Sequence, residues 1–196
     1  DDWAARELGR VALRQWREDG PETVTTYSDL TSLSSRFAHG LCGLDGATGD
    51  RVAIVLPQSL ETVVAHLAIY RAGMIAVPLA RLFQADALEF RLRRAGAAIV
   101  VTDRSGADKI ASIRERLPDL RHVIVVDSAA GDGEIPFESV LIDRDDPFPA
   151  VETGPDTPAL IIFTSGTTGP PKGALHGHRV VPGHLPGLKT HHEFMP

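Results

Sequence analysis

Short apolar runs alternate with helix-period segments along most of the chain, and this alternation constrains the fold more than any other feature. Three runs, at 98–101, 123–126 and 159–163, are apolar at consecutive positions, and two more strands are predicted at 52–56 and 74–77. Consecutive apolar residues are typical of strands that are covered on both faces. The sequence therefore predicts an α/β fold with a doubly wound, mostly parallel sheet flanked by helices, and ligands at the carboxyl ends of the strands.

Apolar residues that recur at steps of three and four predict amphipathic helices between these strands. Ser59 and Gly73 are placed to begin and end one helix, and Asp86 with Glu89 resembles a capping box for the next. The stripes of the first two helices are Leu30, Leu33, Phe37 and Leu41, followed by Leu60, Val63, Val64, Leu67 and Ala68.

Two polar segments are predicted to face solvent. Residues 127–158 are rich in Asp, Gly and Pro, and only 137–142 could form a short helix or strand, so we interpret the segment as an exposed connection. Arg91, Arg93 and Arg94 fall on a predicted helix and are interpreted as its solvated face, where they also complement the negative end of the helix dipole.

Composition narrows the class of function. The chain has 196 residues with 43% hydrophobic and 23% charged content, which is ordinary for a globular protein. Its 20 basic and 26 acidic side chains give a net charge of −6 without a basic cluster, so small-molecule partners are favoured over nucleic acid. No apolar run approaches the roughly 20 residues of a membrane span.

Cysteine usage and the first residues predict a cytoplasmic location. The single cysteine, Cys42, excludes an internal disulfide and is predicted to pack on a helix face, and the first residues do not resemble a secretory signal. Five of the eight histidines lie between His176 and His192. Because no cysteine and no closed-site spacing accompany them, we predict no metal site.

The segment from Thr164 to Gly173, TSGTTGPPKG, directly follows the last apolar run. Its three glycines permit positive φ and close approach to an anion, and its N–H groups and hydroxyls offer donors for phosphate oxygens. Lys172 adds a positive charge. Pro170 and Pro171 remove two donors, and no hydroxyl residue follows Lys172, so the segment is not a Walker loop and is not expected to open a helix. An inert flexible linker is the alternative.

This segment resembles the signature loop of the adenylate-forming superfamily, which comprises acyl-CoA synthetases, peptide-synthetase adenylation domains and beetle luciferases. Residues 174–179 are most similar to the acyl-CoA synthetase branch, with a short or medium acyl chain as the expected substrate. Two weaker segments support the assignment in the right order: residues 26–30 resemble the family's early tyrosine motif, and residues 70–79 resemble its Ala-Gly-x-x-x-Val-Pro motif. The resemblance spans nearly the whole chain.

The resemblance implies an ATP-dependent reaction of fatty acid metabolism. A carboxylate attacks the α-phosphate of Mg²⁺·ATP to give an acyl-adenylate and pyrophosphate, and coenzyme A then takes the acyl group. In that family the loop holds the β and γ phosphates, which implies a catalytic role for Lys172. The nucleotide-binding residues implied for this chain are Thr164, Ser165, Gly166, Thr167, Thr168, Gly169, Lys172 and His178.

The resemblance also implies that residues 1–196 are part of a large N-terminal adenylation domain, with phosphate loop 164–173. The remaining motifs and a C-terminal domain with a catalytic lysine are expected beyond residue 196, so we expect this chain to be inactive by itself. The main alternative is a non-catalytic nucleotide-binding or interaction module, in which exposed apolar sheet edges could form a homodimer. A kinase-like phosphotransferase would need a Walker pattern or an acidic pair after a strand, and we find neither.

Overall fold

A seven-stranded sheet organises the computed structural model, which describes residues 2–16, 20–126, 130–144, 146–165, 169–180 and 182–184. The strands are β1 (Val11–Gln15), β2 (Thr23–Thr26), β3 (Arg51–Val55), β4 (Ile75–Pro78), β5 (Ala97–Thr102), β6 (His122–Val125), β7 (Ile135–Pro136), β8 (Pro158–Thr164) and β9 (Lys172–Gly177). The helices are α1 (Asp2–Arg6), α2 (Tyr27–Gly43), α3 (Leu60–Arg71), α4 (Ala85–Ala95), α5 (Arg104–Ala111) and α6 (Phe137–Val140). Strands β1 and β2 form a separate antiparallel pair.

The sheet has the order β7-β6-β5-β3-β4-β8-β9, and every neighbouring pair is parallel except β8 and β9. The first strand, β3, lies between β4 and β5, so the chain crosses to the opposite side of β3 after β4. This crossing is the topological switch of a doubly wound sheet. The predicted fold class is confirmed, and the carboxyl ends of the parallel strands share one edge.

Helices cover both faces of the sheet. On one face, α2 and α3 pack side chains such as Phe37 and Ile69 against β3 and β5, and on the other face α4 and α5 contribute Leu92 and Ile110. All six residues of β5 are buried. The runs at 98–101 and 123–126 therefore have the physical origin that the sequence predicts, because both faces of these strands are removed from water. The prediction is wrong for most of 159–163, where only Ala159 is buried and the other four residues are partly exposed.

Side-chain capping fixes where two helices begin. Thr26 accepts a hydrogen bond from the N–H of Asp29 at 3.1 Å, and the Asp29 carboxylate accepts one from the N–H of Thr26 at 2.9 Å. This capping box starts α2, and the hydrogen bonds from Thr26 lower the pKa of the Asp29 carboxyl. Ser59 caps α3 as predicted, by accepting from the N–H of Thr62.

The predicted capping box at Asp86 and Glu89 is wrong. Helix α4 begins at Ala85, so Asp86 lies within its first turn, and the N-cap residue Gln84 makes no side-chain cap. Glu89 instead accepts from Arg93 at 3.4 Å and pairs with Arg116 at 2.8 Å. The pair with Arg93 is one turn apart on α4. The pair with Arg116 forms only once α4 and residues 114–116 lie together, so the local sequence does not reveal it.

Three burial predictions also need correction. Leu67 is 38% exposed, whereas Ile69 is fully buried, so the apolar face of α3 is rotated from the predicted stripe. The segment 127–158 is not entirely an exposed connection, because Phe137 is buried and its ring stacks on Phe37 with centroids 4.5 Å apart. Cys42, predicted to be packed, is exposed.

Among the described helices we find none with the length and apolar character that a bilayer crossing requires.

A close helix contact makes a residue-specific stability prediction. A methyl group at Gly40 of α2 would lie 1.9 Å from the carbonyl oxygen of Val140 in α6, whereas at Gly43 nothing lies within 4 Å. We expect Gly40→Ala to lower the free energy of unfolding by about 2–3 kcal/mol through overpacking, and Gly43→Ala to be neutral or slightly stabilising. Urea denaturation measures the free energy of unfolding of both variants. Equal changes in the two variants would disprove the close contact between Gly40 and Val140.

A second prediction concerns His66, whose Nδ1 lies 3.3 Å from the Tyr70 hydroxyl on α3. Burial lowers the pKa of His66, so below about 6.5, the ordinary histidine value, the unfolded chain binds a proton that the folded chain does not. The unfolded state then holds more protons, and the free energy of unfolding must fall as the pH decreases from 6.5 toward the folded pKa.

We expect His66→Gln to reduce this pH dependence, measured as denaturation midpoints between pH 7.5 and 5. Tyr70→Phe is the matched control, because it removes the hydroxyl partner but leaves His66 half-buried, and it should keep the dependence. An identical pH profile for wild type and His66→Gln would refute the assignment.

Candidate functional site

The predicted phosphate loop is the connection of a β-hairpin. Strand β8 runs parallel to β4 and ends at Thr164, and β9 returns antiparallel to β8 from Lys172. The loop therefore lies at the carboxyl edge of the parallel strands, where ligands bind in doubly wound folds. It leads into a strand, so the prediction that it does not open a helix is confirmed.

Strand register brings the two ends of the loop together. Thr164 pairs with Lys172, and Phe163 pairs with Gly173. Residues directly opposite each other in an antiparallel pair project from the same face, so the Thr164 hydroxyl and the Lys172 ammonium emerge side by side. Ser165 follows at the mouth of the loop, and all three side chains are exposed.

Gly169 has φ of +97°, which residues with a Cβ rarely adopt. Nothing would crowd a side chain there, so the backbone conformation alone requires glycine. Pro170 and Pro171 follow and restrict the approach to Lys172. Three other predicted phosphate-binding residues, Gly166, Thr167 and Thr168, lie outside the described residues.

His178 is not close to the loop mouth. It follows β9 at the opposite edge of the sheet, six residues from Lys172, or about 20 Å along an extended strand. Its N–H donates to the carbonyl of Thr157 at 3.1 Å, and its ring meets Tyr70 edge-on with centroids 6.0 Å apart. The structure thus gathers Thr164, Ser165, Gly169 and Lys172, and separates His178 from them.

Arg91 lies behind the loop and corrects the prediction of a solvated arginine face. Its guanidinium stacks on the Phe83 ring at 3.9 Å and lies 6.0 Å from the ring of Phe163, the residue before Thr164. Its Nη1 donates to the carbonyl of Ala87 at 2.7 Å. The Arg91 cation is therefore held against the end of β8, just before the loop. Nothing in the sequence distinguishes Arg91 from Arg93 and Arg94 in this respect.

Among the described residues, metal ligands do not converge near this loop. Within the described part of the chain, no group of three or more His, Cys, Asp and Glu side chains has the geometry of a cation site. The donors at the loop mouth are hydroxyls and an ammonium, which suit phosphate oxygens rather than a metal. The arrangement can hold an anion, but its exposure leaves that anion in contact with water.

The chain matches the family described as AMP-binding enzyme over residues 1–190. It is 33% identical over 185 residues to the mitochondrial acyl-coenzyme A synthetase ACSM4 of Rattus norvegicus, covering 90% of this chain and 31% of that protein. It is also 33% identical over 179 residues to the phosphinothricin tripeptide synthetase PhsC of Streptomyces viridochromogenes, covering 91% of this chain and 15% of that protein.

Among solved structures, acetoacetyl-CoA synthetase from Streptomyces lividans is similar with a TM-score of 0.90 and 26% identity, covering 98% of this chain and 32% of that chain. The chain thus spans about a third or less of the length of these relatives. Their shared fold confirms the resemblance drawn from the loop and the two shorter motifs. This chain belongs to the AMP-binding enzyme family.

Proposed function

We propose that this chain is the N-terminal part of the large domain of an ATP-dependent acyl-CoA synthetase, and that loop 164–173 binds the β and γ phosphates of ATP. The observation that carries the proposal is the pairing of Thr164 with Lys172 at the carboxyl edge of the sheet, in a chain of the AMP-binding family. The exposed hydroxyls of Thr164 and Ser165 and the ammonium of Lys172 match the chemistry of phosphate oxygens.

The proposed chemistry is carboxylate adenylation. A carboxylate oxygen forms a bond to the α-phosphorus, the bond from that phosphorus to the bridging oxygen breaks, and pyrophosphate leaves with the electron pair. Negative charge accumulates on pyrophosphate as this bond breaks, so Lys172 and the loop donors lower the barrier by neutralising it. Mg²⁺ would arrive with ATP, and coenzyme A would take the acyl group from the adenylate in the second step.

The choice of acyl-CoA synthetase over peptide synthetase rests on residues 174–179, because both kinds of relative are 33% identical to this chain. A cytoplasmic location and coenzyme A as the acceptor belong to the same proposal. His178 contributes indirectly in this scheme, by fixing the end of β9 against Tyr70 of α3. The acceptor can be identified by mass spectrometry of the thioester formed when coenzyme A is added to the adenylate.

We predict that the 196-residue chain alone binds ATP no more tightly than about millimolar, a free energy of roughly 4 kcal/mol. Three or four charge-assisted hydrogen bonds contribute about 5–12 kcal/mol in total, and association costs about 4–15 kcal/mol. At an exposed loop the free energy gained from these hydrogen bonds is nearly cancelled by the cost of association. Calorimetric titration measures the affinity, and a micromolar constant would mean that this chain forms a complete nucleotide site.

We predict that Lys172→Ala, made in a full-length enzyme that contains this segment, slows adenylation about a hundredfold, as loss of one transition-state donor does. Pyrophosphate exchange measures the step. Lys172→Arg is the matched control because it keeps the charge, and it should retain most of the rate. Unchanged exchange in Lys172→Ala would remove the residue from the mechanism.

One observation supports a non-catalytic second proposal, in which two copies associate through β9. Of the described strands, β9 is the last at its end of the sheet, and its first four residues are exposed. An open strand edge is a template for antiparallel pairing with a second copy. We expect a dimer by light scattering at high concentration, dissociated by Ala174→Lys, and a monomer at all concentrations would eliminate the proposal.

A further inference from the structure

The end of β8 that carries the phosphate loop extends past its parallel neighbour. The register pairs β8 with β4 at one position, where Ala76 is opposite Leu160. When this register is continued, Pro78, the last residue of β4, lies level with residue 162, and proline has no N–H for a further ladder bond. Among the described strands, only β9 therefore supports the last two residues of β8 within the sheet.

Arg91 of α4 lies against this end of β8. Its guanidinium carbon is 3.9 Å from the centre of the Phe83 ring and 6.0 Å from the centre of the Phe163 ring. Its Nη1 donates to the carbonyl of Ala87, but its buried Nε has no hydrogen-bond partner among the described residues. A buried donor without a partner costs free energy, so the contacts with the aromatic rings must offset that cost.

This stack of two rings and a guanidinium is anchored to the core at its Phe83 end. Phe83 packs against the apolar cluster that α4 and α5 form with the sheet. Its carbonyl accepts from Nζ of Lys109 on α5 at 3.1 Å, and its N–H donates to the carbonyl of Ala80 at 3.1 Å. The other end of the stack meets β9, because a Cβ at Gly173 would lie 3.3 Å from Cζ of Phe163.

We propose that Arg91 is a positioning residue for the phosphate loop. Its guanidinium fixes the ring of Phe163, which is paired with Gly173 in the hairpin. The next pair toward the loop is Thr164 with Lys172, so the stack sets the position of the hydroxyl and the ammonium that face the anion. This role rests on the proposed function of the loop as the phosphate site.

Arg91 acts through the strands and does not touch the anion. Strand alternation directs Phe163 to the α4 face of the hairpin and the side chains of Thr164 and Lys172 to the opposite face. Donors that are fixed in advance do not have to reorganise when charge develops on the leaving pyrophosphate. We therefore expect the stack to affect the rate of adenylation more than the binding of ATP.

The neighbouring arginines of α4 have different surroundings. Arg93 donates to Glu89 at 3.4 Å, and Arg94 lines an open cleft of about 640 Å³ between α4 and the hairpin. Arg93 is the matched control for Arg91, because it lies on the same helix and is paired within that helix.

The first test is amide hydrogen exchange of the 196-residue chain, measured by NMR in the absence of ATP. We expect Arg91→Ala to speed exchange about tenfold at residues 162–164 and 172–174, because this end of the hairpin opens locally once the stack is lost. Arg93→Ala should leave these amides unchanged. Gly40→Ala, which we expect to lower global stability, should also leave them unchanged, because local opening does not require global unfolding.

The second test measures adenylation in a full-length enzyme that contains this segment, with rates normalised to titrated active sites. We expect Arg91→Ala to lower kcat for pyrophosphate exchange about tenfold and to change KM for ATP less than about twofold, because the loop donors act on charge that develops in the transition state. Adding Arg91→Ala to Lys172→Ala should cause no further loss, since both substitutions act on the same group. Arg91→Lys keeps the charge without the flat guanidinium and should recover only a minor part of the rate.

Four outcomes would overturn the assignment. Unchanged exchange in Arg91→Ala would show that the stack does not hold the hairpin, and equal acceleration in Arg93→Ala would show that the effect is not specific to the stack. Multiplied losses in the double variant would show that Arg91 acts independently of Lys172, and full recovery in Arg91→Lys would assign the effect to charge alone. An unchanged rate in Lys172→Ala would instead overturn the proposed function of the loop and leave the exchange result standing, so the two failures are distinguishable.

Discussion

The double coverage of the parallel strands β3 and β5 is the constraint on which the rest of the structure depends. Their side chains are removed from water on both faces by helices that follow one another in the chain. Parallel strands joined by helices must all end at the same edge. Burial of apolar residues along the strands therefore determines which edge of the sheet carries the exposed polar segments. The phosphate loop lies at that edge because β8 runs parallel to β4.

The one antiparallel pair within the seven-stranded sheet, β8 and β9, converts this edge into a candidate anion site. A helix after β8 would have carried the chain away, as in a Walker-type loop. The return of β9 places Lys172 opposite Thr164, so a hydroxyl and an ammonium that are eight positions apart in sequence become neighbours. Because β9 runs back along the sheet, His178, which follows its last residue, lies at the opposite edge of the sheet from Lys172 and the loop.

Three arginines on one helix show how packing assigns different chemistry to the same residue type. Arg91 stacks on Phe83 and donates to a carbonyl of its own helix, and Arg93 pairs with Glu89. Arg94, in the last turn of α4, lines a cleft with apolar walls. Helical periodicity places these side chains on different faces, but which face meets β8 depends on how α4 packs on the sheet.

The sequence by itself determined the fold class, the alternation of β3 to β6 with helices, the N-cap of α3, and the position of the loop directly after a strand. These features follow from local patterns: apolar runs, helical periodicity, cap residues and glycine or proline at turns. Membership of the AMP-binding family was likewise evident from TSGTTGPPKG and its order relative to the two shorter motifs.

Only the tertiary structure decided which residues meet. It placed Glu89 on Arg93 and Arg116 rather than in a capping box, buried Phe137 in a segment read as exposed, and exposed Cys42. It also brought Phe163, Gly173 and Arg94 to one cleft. Apart from Glu89 and Arg93, which are one helical turn apart, these contacts join residues separated in the chain. They are set by the packing of helices on the sheet, which no local sequence pattern encodes.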